Sequence, residues 1–493
     1  MERLHGQKSY EQELRNELKN PAFKEVFGYR NGYLVLNPIE GYRKNEIRMV
    51  DLLNKYGEGG AIQVTDLGMI KKRAHQLKEI LWKSADSVGY PKNKIQPHHA
   101  FKVNIKGPNI LSALSELEAE TSWEFDLFNV QKMRRRGYVR EDIKVVSNGF
   151  IFDWKQGKDP SYARRIIDAH NEGIDITPIL GPHMLPYFQK NVNKGVLSVG
   201  LRLKFGQVSS DAELEKLVSR FGFGWTDLQK EAQLIKNSRN VEFTMLHAMI
   251  TAAHTIEPQA MAKSALFAAE KWAQLKKVHP SLTHLNFGGG FPTIDSGFDH
   301  DAFLKIYFSG ITEICMRYGV DLPTVVIESG SFVAADTEHL IYPVVDTYKN
   351  SSNPYTEVNV TNTIMDLADI WVQEDPFTFV AIDHANDAPI QVRLGDTTCD
   401  SNCTYPPKNQ PDRYISMPEN TSAVVAIMVG AYQDVLGTIA AQGEAKSVEH
   451  CGLRTPKQVY ITETGQIWTN TLPSMEEMSN IAGYNDKMLS LVK

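Results

Sequence analysis

HHAFKVNIK, residues 98–106, sets Lys102 between the apolar neighbours Phe101 and Val103 in a β-type run, and it opens the series of segments whose spacing decides the fold. From about residue 97 to 331, short β-rich runs alternate with helical patterns, the signature of parallel strands wrapped by crossover helices. The predicted strands are His99–Asn104, Trp123–Leu127, Ile143–Ser147, Ile174–Leu180, Leu197–Lys204, Val241–Ile250, His284–Phe287 and Thr324–Glu328. Helices are expected between them at Tyr162–Glu172, Asp211–Arg220 and Gln259–Lys277; the last carries Met261, Ala265, Ala268, Ala269 and Trp272 on one stripe. Eight strands in this alternation predict an α/β fold, a TIM-like (β/α)8 barrel, whose chemistry gathers at the C-terminal strand ends.

Beyond Ser331 the texture changes to short strands broken by Asn, Pro and Ser clusters, YKNSSNPYTEVNV (348–360) and EDPFTFVAIDHANDAP (374–389). This predicts a mainly antiparallel β-domain over residues 332–493. GYLVLNP (32–38) and GAIQV (60–64) are also strand-like, so residues 1–66 are expected to contribute to that β-domain, with the barrel over 67–331 opening on a helix from Leu67 to about Ser84.

A chain of 493 residues, 42% hydrophobic and 23% charged, reads as globular with more than one domain. Its net charge of -6 and single short basic run, Lys132–Arg136, do not outline a nucleic-acid surface. With no apolar stretch of membrane-spanning length and a charged N-terminus, no membrane partner is expected and the cytoplasm is the expected compartment. Four scattered cysteines, Cys315, Cys399, Cys403 and Cys451, make no disulfide or zinc framework, so no metal is expected.

Five segments carry candidate chemistry. Lys102 is flanked by apolar residues whose burial would lower its pKa and suit Schiff-base formation, although an ion-paired lysine would read the same. NFGGGFP (286–292) offers Gly288, Gly289 and Gly290, whose backbone can approach an anion such as a phosphate closely; a tight βα turn is the alternative. Glu328, ending the eighth strand in VVIESGS, can keep a pyridinium nitrogen protonated, or serve as a buried structural acid. Cys399 and Asp400 in GDTTCDSN (395–402) pair a proton donor with a carboxylate suited to a cationic substrate group. Tyr432 in VGAYQDVLG (429–437) can hydrogen-bond a phosphate or fill a core.

In this order, AFKVN (100–104), GGGFP (288–292), LGDTTCDS (394–401) and VGAYQDVLG resemble the fold-type-III pyridoxal-phosphate enzymes, the alanine-racemase-like group, and within it the biosynthetic arginine decarboxylases. SRFGF (219–223) adds to the likeness, which runs from about residue 28 to 465. The resemblance implies pyridoxal 5'-phosphate held on Lys102, with Asp126 nearby, a ring-stacking histidine at His247, and Glu328 at the ring nitrogen. Gly288, Gly289, Gly290, Gly330 and Tyr432 would surround the phosphate, with Ser331 beside them. Cys399 would protonate the substrate Cα after CO2 leaves, and Asp400 would bind the distal cation. A homodimer with shared active sites follows as an expectation, the Cys-Asp pair coming from the second subunit.

The chain departs from that pattern at three places. Ser331 stands where the family usually has Arg; MLHAMITAA (245–253) lacks the family's Gly-Ser and leaves His247 or Met249 for the stacking position; Asn402 and Cys403 follow where the family has Asp-Gly. The reaction implied is decarboxylation of a basic amino acid, L-arginine to agmatine and CO2 as in polyamine biosynthesis, with lysine, ornithine or a modified basic amino acid as alternatives. An amino-acid racemase and a catalytically weak regulatory homologue are the competing classes.

Overall fold

The computed structural model describes residues 8–17, 21–154, 157–205, 220–250, 257–349, 351–362, 367, 378–401, 403–407, 410, 413–433, 451, 455–472, 474–481, 484 and 488. The expected helix Asp211–Arg220 and Asn402 lie largely or wholly outside them. The chain divides into two compact units, Lys71–Lys102 with Ile110–Val333, and Met1–Ile70 with Val103–Asn109 and Ala334–Lys493.

The first unit is a closed barrel of eight parallel strands, Ile95–Ala100, Glu118–Thr121, Lys144–Ser147, Asp175–Leu180, Leu197–Leu203, Val241–Ala248, His284–Asn286 and Thr324–Glu328. The last strand closes on the first, with Val325 opposite Ile95 and Glu328 opposite His98. Val146, Ile179, Met245 and Val326 form a buried apolar cluster, each from a different strand, as expected for a filled barrel interior. The α-helix Pro258–Lys276 buries Met261, Ala265, Ala268, Ala269 and Trp272, and the Trp272 indole N–H donates to the His284 carbonyl at 3.0 Å. Ser161 caps the helix Tyr162–Asn171 by accepting from the Arg164 N–H at 3.3 Å, which supports its start after the third strand.

Two expected strands are corrected. The first begins four residues earlier than predicted and ends at Ala100, so Lys102 lies in a 3-10 turn, Phe101–Val103, just past the strand. His98 and His99 are both buried, and His98 Nδ1 meets the Ala119 carbonyl at 2.9 Å. The second is Glu118–Thr121, and the residues read as a strand, Trp123–Leu127, instead open the helix Glu124–Arg135. Aromatic residues favour β structure, but Asp126 accepts the Ser122 N–H at 2.9 Å and the Trp123 indole N–H at 2.6 Å, stabilising the turn that starts a helix.

Among the described residues, the second unit holds a ten-stranded, mainly antiparallel sheet. Its central strand Glu338–Lys349 pairs antiparallel with Ile62–Asp66, Thr356–Val360 and Ala423–Ala426. On its far side Ile62–Asp66 runs parallel to Lys457–Ile461. A smaller antiparallel sheet joins Phe27–Arg30, Tyr33–Leu36 and Ile47–Arg48. Phe27, Leu34, Leu36, Ile62, Val64, Ile341, Val425 and Val459 share one apolar core. No helix among the described residues is long and apolar enough to cross a membrane.

Candidate active site

The C-terminal ends of the first, second, third, sixth, seventh and eighth barrel strands deliver one connected set of polar side chains. Lys102 Nζ lies 3.2 Å from Glu120 Oε1, with Lys102 42% exposed and Glu120 fully buried. The same Glu120 oxygen accepts from Ser122 Oγ and from Asn148 Nδ2, each at 2.9 Å. Asn148 also donates to Glu328 Oε1 at 2.9 Å, so a single amide group links the two carboxylates. Asn286 Nδ2 donates to the same Glu328 oxygen at 2.7 Å, and His247 Nε2 stands 3.5 Å from it. Strand register sets His247 opposite both Asn286 and Arg202.

Burial pushes His247 below its ordinary pKa against the opposing pull of Glu328, so the ring is neutral at pH 7. Burial alone would raise Glu328. The His247 contact, the Lys102 cation and the Asn148 N–H outweigh it and hold the carboxyl well below the ordinary carboxylate range. His247 Nε2 faces the Glu328 carboxylate at 3.5 Å, with the two amides and Lys102 supplying the remaining support. Burial also lowers Arg202, while Glu328 opposes that shift.

Asn286 shapes the glycine loop as well, since its Oδ1 accepts the Gly288 N–H at 2.8 Å. Gly288 has φ +73, and a Cβ there would meet Met249 Sδ at 2.8 Å and His247 Cε1 at 3.3 Å. The turn therefore needs glycine both for its backbone and for room beside His247 and Met249. Gly290 also has positive φ, and a Cβ on Gly289 would press the Glu328 carbonyl oxygen at 3.2 Å. After the eighth strand, Ser329 donates its N–H to the His98 carbonyl, and Gly330 precedes the single helical turn Ser331–Ala334.

Asp126 is buried at the helix start next to this set. Burial pushes its carboxyl up to about 7, Glu120 adds to the rise, and the Ser122 N–H, Trp123 and Lys102 oppose it. Direct contact with the lysine falls to Glu120, which sequence reasoning missed together with Asn148, Asn286 and Arg202. Asn286 was legible as the residue that opens NFGGGFP, two before the glycine run. A glutamate in the short polar stretch EAET (118–121) gave no signal without the barrel register.

In the β-rich unit, Tyr432 adopts φ +66, an uncommon backbone for a tyrosine, and its N–H donates to the Val103 carbonyl at 2.9 Å. Asn104 Nδ2 donates to the Gly430 carbonyl in the same loop at 3.0 Å. Asp400 follows the exposed Cys399, and its carbonyl accepts the Cys403 N–H at 3.0 Å. The Cys451 thiol lies beside Cys399 and raises it above its ordinary value.

Among known proteins, no family model matches the chain and no curated protein matches it in sequence. Solved structures do. The biosynthetic arginine decarboxylase of Campylobacter jejuni superposes with a TM-score of 0.75 at 17% identity, over 96% of this chain and 91% of its own. A diaminopimelate decarboxylase from M. jannaschii, in complex with L-lysine, gives 0.70 at 14% identity over 92% and 97%. The lysine/ornithine decarboxylase of Vibrio vulnificus, complexed with putrescine, gives 0.58 at 15% over 79% and 93%. The barrel-plus-sheet fold of this chain is the fold of those decarboxylases.

Proposed function

We propose that the chain is a pyridoxal-phosphate-dependent decarboxylase of a basic amino acid, with L-arginine as first substrate and agmatine and CO2 as products. The observation that carries this reading is the connected set joining Lys102 to the buried Glu120, Asn148, Glu328, Asn286 and His247 at the barrel strand ends. Three further atoms there test the fit. Glu120 Oε2, His247 Nδ1 and Ser329 Oγ are buried without a hydrogen-bond partner among the described residues, which suits a polar group bound beside them. The residues fit a cofactor that offers an amine acceptor, a titratable ring nitrogen and a phosphate.

Lys102 would hold the cofactor, Glu328 its ring nitrogen, and Gly288, Gly289, Gly290, Gly330 and Ser331 its phosphate, with His247 beside the ring. The resemblance adds Asp126 and Tyr432. When bound, pyridoxal phosphate supplies an electron sink for the pair released as the Cα–carboxylate bond breaks. Glu120 orients the Lys102 amine, and Asn148 ties that carboxylate to the one that meets the ring. Cys399 Sγ would hold the proton delivered to the substrate Cα, and its raised pKa keeps that proton on sulfur at neutral pH. Asp400 would take the distal cation of the substrate. The proposal includes a cytoplasmic homodimer in which the Cys-Asp pair serves the neighbouring subunit's lysine.

Loading the protein with pyridoxal phosphate, reducing it with borohydride and mapping the peptides tests the reading. The cofactor mass is expected on Lys102, and Lys102→Ala should abolish it. A label on another lysine, or none, overturns the assignment. A substrate panel scored by CO2 release then separates arginine from lysine, ornithine and their modified forms, and a protein that binds the cofactor but releases no CO2 would be the regulatory homologue.

A further inference from the structure

Outside the barrel, one pair of side chains is placed for chemistry that the proposed reaction does not use. Cys451 Sγ lies 3.4 Å from Cys399 Sγ, although 52 residues separate them in the chain. The Cys399 backbone N–H also donates to Cys451 Sγ at 3.3 Å, so the two segments are joined through both backbone and side chain. Both cysteines are exposed on the single chain, and in the proposed dimer Cys399 would face the cavity that the substrate enters, which a small-molecule oxidant can enter too. The other cysteine of this unit, Cys403, is buried, and burial pushes its thiol up to about 11, which makes it a poor competitor.

We infer that Cys399 and Cys451 form a reversible disulfide, a redox modification site in the β-rich unit. The oxidant is a small-molecule disulfide such as oxidised glutathione. One protein thiolate attacks it, forming a mixed disulfide and releasing one small thiolate. The second protein thiolate then attacks the protein sulfur of that mixed disulfide, the Cys399–Cys451 bond forms, and the second small thiolate leaves. Two electrons pass to the oxidant, and the two protons from the cysteines end on the released thiols. The consequence for turnover rests on the role proposed above for Cys399, since a disulfide has no proton to deliver.

The experiment equilibrates the full chain in oxidised and reduced glutathione, blocks remaining thiols with an alkylating reagent and maps the peptides. The expected result is a Cys399–Cys451 cross-link, two hydrogens lighter than the dithiol, that dithiothreitol reverses. With Cys451→Ser, Cys399 should instead accumulate the glutathione adduct. Full alkylation of both cysteines in oxidising buffer, or a cross-link from Cys399 to Cys403, overturns the inference. Decarboxylation by the oxidised protein should fall roughly 10²-fold and recover on reduction, the scale of a lost proton donor. If the cross-link forms and turnover is unchanged, the disulfide stands and Cys399 is not the proton donor.

Discussion

His247 Nε2 stands 3.5 Å from Glu328 Oε1, and both side chains are buried. With Asn148 and Asn286 donating to the same oxygen, the carboxylate is fixed by three groups from three different strand ends. Glu328→Gln keeps the shape and removes the charge, and its amide turns an N–H or a weaker acceptor toward donors already aimed at it. Charge-assisted hydrogen bonds contribute about 1.5–3 kcal/mol, so decarboxylase kcat should fall roughly 10- to 150-fold with the circular dichroism spectrum unchanged. Wild-type turnover in that variant would remove Glu328 from the reaction.

Asn148 is the only described side chain that donates to both Glu120 and Glu328. Asn148→Ala leaves two buried carboxylates short of a donor each, and the expected loss is about 1–3 kcal/mol of folding stability. Urea titration reads it as a lower midpoint with an unchanged slope. A midpoint equal to that of the parent would show that water takes over the bridge.

Lys102 and Lys106 lie four residues apart in one motif but in opposite surroundings. Lys106 Nζ sits 3.1 and 3.0 Å from the two oxygens of Glu338, both side chains being buried, while Gln63, Thr65 and Asn109 donate to the same carboxylate. Lys106→Met strands a buried charge and should cost about 3–5 kcal/mol, much of which Lys106→Met with Glu338→Gln should restore. Equal losses in the single and double variants would argue against a buried ion pair.

Asp126 sets a pH dependence whose sign is opposite to that of a salt-bridged acid. Its folded pKa, near 7, lies above its unfolded value, near 3.8, so the native state retains a proton that the unfolded chain has lost. Below about pH 4 the group costs nothing; between about pH 4 and 7 stability falls as pH rises, and above that the cost is constant. Asp126→Asn should flatten that part of the stability profile. An identical slope in variant and parent, measured by thermal unfolding at pH 5, 6, 7 and 8, would place the titration elsewhere.

The barrel was legible because buried parallel strands are short apolar runs separated by amphipathic helices, and six of the eight expected strands fall where the structure has them. The two misplaced ones fail for related reasons. Trp123, Phe125 and Phe128 have strand-like residue types, yet they sit partly exposed around a helix start fixed by Asp126. The strand that precedes them carries Glu118 and Glu120, residues that no local preference assigns to a barrel wall. Glu120 is accommodated there because Lys102 and Asn148 come to it from other strand ends, with Ser122 adding a local hydrogen bond from the turn just after it. Such pairings between distant segments have no periodicity to read, whereas Lys102, Glu328 and the glycine loop stand in short motifs.

The strand Ile62–Asp66 lies between Glu338–Lys349 and Lys457–Ile461, and Gln458 Nε2 donates to Gln63 Oε1 at 2.8 Å across a separation of 395 residues. During synthesis, a ribosome adding about 5–20 residues per second takes tens of seconds to span that interval. All eight barrel strands emerge before Lys457, while the early strand, once Glu338–Lys349 has covered one edge, waits with the other unpaired. Nascent chains halted between residues 350 and 456 therefore still present one open strand edge to edge-to-edge association, and it is that edge a chaperone would have to shield until Lys457–Ile461 arrives.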